Sequence, residues 1–147
     1  MTEDKFRSAI RAEAMAWIGT PYHPCGKLKG VGVNCSQFAF QVALASGVLP
    51  ADAPNPRWYT PQLATHSKEE RLIAYVESYG AREISEREAK TGDIVLFRSG
   101  HAHGHMAIVL DWPQIIHVLP PHGCQMGSVD EGRLGGMSRK CFTLWKE

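Results

Sequence analysis

Apolar residues at Phe6, Ile10, Ala14 and Trp17 recur at helical spacing and predict a first helix with one buried face. Thr2 can cap it, with Glu3 and Asp4 complementing its dipole, and Gly19-Thr-Pro21 ends it. The stretch from Pro21 to Asn34 holds two prolines, three glycines and two lysines and reads as a loop. A second helix is expected from Cys35 to Ser46, with Phe38, Val42 and Ala45 on one stripe and Gly47 as its stop. Residues 50–61 contain four prolines and are expected to be irregular. Ser67-Lys-Glu-Glu70 is a capping box opening a third helix through Leu72, Ile73, Val76 and Tyr79, and Ser85-Glu-Arg-Glu88 caps one further short turn.

After Gly92 the period changes from helical to alternating. Asp93–Phe97, His105–Asp111 and Gln114–Val118 read as successive strands, and Cys141–Trp145 as a closing one. Trp112-Pro113 makes a tight turn, so the second and third strands form an antiparallel hairpin. Helices first and strands afterwards define an α+β domain, its N-terminal helices packed on a mainly antiparallel sheet.

The chain has 147 residues, which fits one domain spanning 1–147. With 44% apolar and 21% charged residues it is not a disordered sequence. A net charge of +1 gives no electrostatic footprint for nucleic acid. Met1–Phe6 is charged and lacks the apolar core of a signal peptide, and no apolar run approaches the ~18 residues of a membrane span. Synthesis in the cytoplasm is therefore expected, with any delivery to a virion or a target periplasm by another route. Four cysteines (Cys25, Cys35, Cys124 and Cys141) are irregularly spaced, which favours a free thiol over a disulfide framework.

Cys35 stands where the loop enters the second helix. There it faces unpaired backbone N–H groups and the positive end of the helix dipole, both of which favour thiolate, the nucleophilic form. The alternative is a buried, inert thiol. His105 opens one strand of the hairpin and His117 closes the other, so both fall near the same hairpin end, where one ring can orient the other. That is the logic of nucleophile, base and orienter. His117 alone would read as a hydrogen-bonded sheet histidine. His101-Ala-His103-Gly-His105 puts histidines at alternate positions, but a metal site there would have to recruit His122 or Cys124. No metal is expected, and His101 and His103 are expected to line a mobile rim. Lys27 and Lys29 either lean on the thiol or are solvated. Tyr22 either donates a hydrogen bond near the nucleophile or packs. Trp58 and Tyr59 read as a substrate-contacting wall or as anchors of the proline-rich loop.

Five blocks in order, Trp17–Tyr22, Asn34-Cys-Ser36, Thr91–Phe97, His105–Val109 and Ile115–Val118, resemble the NlpC-type cell-wall peptidases, which are papain-like cysteine hydrolases. The resemblance covers about residues 6–120 and implies a Cys35–His105–His117 triad, with Tyr22 near the active site. Tyr22, Ser36, Trp58 and Tyr59 are added as substrate-contacting candidates, and the Cys35 backbone N–H and Tyr22 as oxyanion donors. It further implies hydrolysis of amide bonds in peptidoglycan stem peptides, beside D-glutamate and a diamino acid, without a cofactor. Three departures stand out. The usual Asp-Cys-Ser-Gly is Asn34-Cys-Ser-Gln37, a Gly-Gly pair is represented by Cys25-Gly26, and the interval between Cys35 and His105 is long. The long interval in a bare domain resembles phage-tail or gene-transfer-particle members, or amidase effectors. Tail proteins or an immunity protein are the partners these would imply. The rivals are an acyltransferase or deamidase using the same triad, a non-catalytic tail-assembly module, and a metal-binding protein using the histidine cluster.

Overall fold

The computed structural model describes residues 1–55 and 70–147, and there the helices gather on one face of a six-stranded sheet. Helix α1 (Glu3–Ala16) begins as its sequence predicts, Thr2 accepting from the Lys5 backbone N–H at 3.2 Å, and it buries Phe6, Ile10 and Ala14. A two-residue hairpin, β1 (Lys27–Leu28) and β2 (Gly32–Val33), interrupts the loop that precedes helix α2 (Cys35–Ala45). Helix α3 (Arg71–Ser78) is followed by β3 (Arg82–Ile84) and a short 3₁₀ turn at Glu86–Glu88, where Glu88 accepts from the Ser85 backbone N–H at 3.0 Å. The remaining strands are β4 (Ile94–Ser99), β5 (Ala102–Val109), β6 (Gln114–Leu119), β7 (Gly123–Ser128) and β8 (Arg139–Thr143), with a second 3₁₀ turn at Gly132–Gly136 before β8. Trp58, Tyr59 and Ser67 lie outside the described residues.

The sheet order is β3-β8-β4-β5-β6-β7, all pairs antiparallel. The α+β architecture is therefore the one expected. The sheet is wider than the sequence suggests, because β3 and β7 are rich in polar residues and glycine and carry little alternation. The Trp112-Pro113 turn is where it was placed, closed by Gln114 donating to the Asp111 carbonyl at 2.7 Å.

Helix α2 differs from the single stripe expected of it. Cys35 through Phe40, Val42 and Ala43 are buried, whereas Ala45 is exposed. A helix covered on most sides is a core helix, here packed against α1 and against β5 and β6. Fully buried Phe38 and Phe40 each contribute on the order of 1.5–3 kcal/mol through removal of apolar surface from water.

Strand alternation divides the sheet into two cores. Ile94, Leu96, Met106, Ile108, Ile116 and Val118 face the helices. Val95, Phe97, Ala107, Val109 and Ile115 face Val129 and Leu134, which the second 3₁₀ turn brings beneath the other side. Asp93 fastens the first core. Its carboxylate, fully buried, accepts from Arg7 at 3.0 Å, from the Thr143 hydroxyl at 2.6 Å and from the Lys90 backbone N–H at 2.9 Å. Three donors meet one buried carboxylate, which is the condition under which such a group is tolerated.

Candidate active site

Asn34 terminates β2 and caps α2. Its Oδ1 accepts from the Gln37 backbone N–H at 2.8 Å and from the Ser36 hydroxyl at 2.9 Å, while its Nδ2 donates to the Pro24 carbonyl at 2.9 Å. The third bond requires an amide, because a carboxylate has no proton to give. This accounts for asparagine where an aspartate is usual. Gln37, in place of a glycine, donates to Asn55 Oδ1 at 2.9 Å and so ties α2 to the chain that follows it. In the Cys25-Gly26 pair only the second glycine is sterically required. A Cβ on Gly26 would lie 2.4 Å from the Gly32 carbonyl carbon, whereas Cys25 is exposed.

Cys35 is the first residue of α2 and is buried. The backbone N–H groups of Met106, Cys35 and Ser36 approach its sulfur and favour thiolate, yet burial outweighs them and pushes the thiol up to about 11. The helix terminus thus acts in the expected direction, and burial opposes it. The dipole is a fraction of a charge, and desolvation of a full charge is the larger effect.

His105 and His117 share a hydrogen bond of 2.9 Å between His105 Nε2 and His117 Nδ1. The register explains the meeting. The β5–β6 ladder ends at Ala107 opposite His117, and His105 lies two residues further along the same face, within diagonal reach. Burial, followed by the neighbouring His117, pushes His105 down to about 3. Burial also lowers His117, and Glu131 pulls it back up. Cys35, His105, His117 and Tyr22 all line one cavity of about 560 Å³. Tyr22 is held by a bridge to Val33, and burial raises its phenol, with Cys35 and Cys25 adding to the rise, so the hydroxyl stays a donor.

The other candidates fall elsewhere. Ser36 is buried, spends its hydroxyl on Asn34 and is not part of the cavity wall. Lys29 pairs with Glu13 at 2.5 Å and lies over the Trp17 ring rather than at the thiol. His101 and His103 do not form a common rim. His101 is exposed, whereas His103 is buried and pairs through Nδ1 with Glu70 at 2.7 Å. Glu70 also accepts from the His103 backbone N–H at 2.8 Å and so pins the start of α3 to β5, while Ser67, its expected capping-box partner, lies outside the described residues. Among the described residues, no three His, Cys, Asp or Glu side chains come together as a metal-ligand set.

Beyond the expected residues, the cavity is walled by Gln125, Glu131, Arg133, Leu134 and Met137 from β7 and the 3₁₀ turn. A signal for this wall exists in the sequence: Ser128-Val-Asp-Glu131 has capping-box spacing, and Glu131 Oε2 accepts from the Ser128 backbone N–H at 3.2 Å.

A buried cysteine at the start of a core helix, beside a histidine pair on an antiparallel sheet, defines the papain-like cysteine-peptidase class. Within it the chain belongs to the NlpC/P60 family, whose model matches residues 19–140. Protein P54 of Enterococcus faecium is 36% identical over 123 residues, which is 83% of this chain and 20% of that protein; the chain thus spans a fifth of that relative. The crystal structure of the NlpC/p60 domain of the peptidoglycan hydrolase SagA superposes with a TM-score of 0.62 at 27% identity, covering 91% of this chain and 96% of that one. RipD of Mycobacterium tuberculosis, a non-catalytic NlpC/p60 domain protein adapted to peptidoglycan binding, shares the fold at a TM-score of 0.60 and 16% identity, over 95% of this chain and 98% of that one.

Proposed function

We propose that the protein is a cysteine peptidase that hydrolyses amide bonds in peptidoglycan stem peptides, with Cys35, His105 and His117 as its triad. The observation that carries this reading is the 2.9 Å bond between His105 Nε2 and His117 Nδ1 in the cavity that Cys35 also lines. With Nε2 occupied, Nδ1 of His105 is the nitrogen left to take the thiol proton. The thiol of Cys35, raised to about 11, and the imidazole of His105, lowered to about 3, define a neutral resting pair. Proton transfer is then coupled to attack: the S–H proton passes to His105 as sulfur bonds to the carbonyl carbon. The oxyanion is received by the Cys35 backbone N–H and the Tyr22 hydroxyl. His105 protonates the departing amine, the C–N bond breaks, and water activated by His105 then cleaves the thioester and restores the thiol.

A second reading, a peptidoglycan-binding domain without turnover, is favoured by the likeness to RipD and by the high thiol value. Mass spectrometry of muropeptides incubated with wild type, Cys35→Ala and His105→Ala decides between them. The peptidase reading expects one amide to be cleaved by wild type and by neither variant. Retention of muropeptides by all three proteins without cleavage would establish the binding reading.

A further inference from the structure

The orienting histidine has a second nitrogen, and the structure shows what faces it. A Cβ on Gly127 would stand 2.8 Å from His117 Nε2 and 3.0 Å from Glu131 Oε2, so the ring and the carboxylate converge on one point that only a glycine leaves open. Glu131 lines the same cavity as His117, and its position is fixed by the bond from the Ser128 backbone N–H at 3.2 Å. We propose that Glu131 is a positioning residue that holds His117 as the Nε2–H tautomer, so that His117 Nδ1 presents its lone pair to His105 Nε2–H and leaves His105 Nδ1 as the base.

The proton arithmetic requires such a group. For His105 Nδ1 to accept the thiol proton, its Nε2 must carry hydrogen and donate to His117 Nδ1. His117 is then protonated at Nε2, and an acceptor there selects that form over its alternative. A carboxylate at this place is the stronger acceptor and also stabilises the positive charge that His105 carries after proton transfer. His117 and Glu131 stand beyond direct hydrogen-bond distance of each other, and the space above Gly127 admits one bridging water between them.

The inference rests on the triad reading, so its first measurement needs no substrate: the ring-nitrogen correlation spectrum of ¹⁵N-histidine protein. Wild type is expected to show His117 as the Nε2–H tautomer. Glu131→Ala and Gly127→Ala, whose methyl stands between ring and carboxylate, are expected to show a mixture, and Glu131→Gln, which keeps an acceptor, to restore the wild-type form. In turnover, Glu131→Ala is expected to lose about tenfold in kcat, well short of the ~10⁴-fold that a wrong tautomer costs in a serine triad, with Glu131→Gln intermediate. A His117 tautomer unchanged in Glu131→Ala, or Nδ1–H in wild type, overturns the proposal. A Glu131-dependent tautomer in a wild type that cleaves nothing upholds it and removes the peptidase reading instead.

Discussion

Two buried polar clusters lie on this sheet and are built on opposite terms. At the start of β4, the buried carboxylate of Asp93 has its oxygens met by Arg7, Thr143 and Lys90. At the β5–β6 end, burial disfavours the charged forms of Cys35 and His105, and both line a cavity. The first cluster joins α1, the turn that leads into β4, and β8. The second keeps one imidazole nitrogen and one thiol uncommitted, and uncommitted groups are what chemistry requires. Buried polar groups on this sheet therefore differ in whether their hydrogen bonds are complete, and the proposed chemistry needs the incomplete kind.

The comparison is sharpest when one cluster is broken at a time. Cys35→Ala and His105→Ala are expected to lower muropeptide turnover by about 10⁴-fold or more while leaving the urea midpoint near wild type. Asp93→Ala is expected to do the reverse: it leaves Arg7 without its buried partner, at a cost of about 3–5 kcal/mol, which is a large part of the stability of a domain this size. Kinetics and equilibrium unfolding on the same three variants check both halves. An Asp93→Ala protein as stable as wild type would dissolve the distinction.

How much of this was legible in the sequence follows from what each feature depends on. The α1 face, the loop-to-helix entry at Cys35 and the strand from Ile94 depend on local periodicity and end signals, and they were readable. The meeting of His105 and His117 was readable too, because a proline turn fixes hairpin register and register fixes which side chains share a face. The state of the thiol was not, because desolvation depends on everything packed around the sulfur, and the chain order records none of it. Glu70 shows the same limit: its capping-box spacing is a local signal, and the chain order does not tell that its carboxylate meets His103. Glu131 carried the same local signal, and the sequence could not tell that its carboxylate also meets the His117 ring across a glycine.

The neutral state of the second cluster also sets a pH dependence that the first does not share. His105 is lowered from the ordinary 6.5 to about 3, so below pH 6.5 the unfolded chain takes up a proton that the folded one refuses. Stability is therefore expected to fall as pH drops from 6.5, and His117, also lowered, adds to the slope. Among the described residues, the carboxylates that are shifted, Glu3, Glu70 and Glu88, are lowered from 4.5, so their contribution is lost below that value. Between pH 6.5 and 4.5 the shifted groups of the described residues that change their charge are His105 and His117. Urea unfolding across that window is expected to show a downward slope with acid in wild type and a shallower one in His105→Asn. Equal slopes would place His105 in water.

The smallest expected effect concerns the joint that holds the reactive cluster in place. Asn34 makes three bonds with its side chain, and only the donation to the Pro24 carbonyl distinguishes amide from carboxylate. Asn34→Asp keeps both acceptor bonds to α2 and adds a negative charge at the helix N-terminus, which favours the helix by about 0.3–1 kcal/mol. Against that, it faces the Pro24 carbonyl with an acceptor and removes one hydrogen bond worth about 1 kcal/mol. Stability is then expected to move by less than about 1 kcal/mol. The thiol is expected to move further, because a carboxylate beside Cys35 raises it above its present value of about 11. Iodoacetamide labelling of Cys35 as a function of pH checks this, with slower labelling in Asn34→Asp than in wild type at every pH below 11. Faster labelling would mean that the Asn34 amide, rather than burial, is what holds the proton on sulfur.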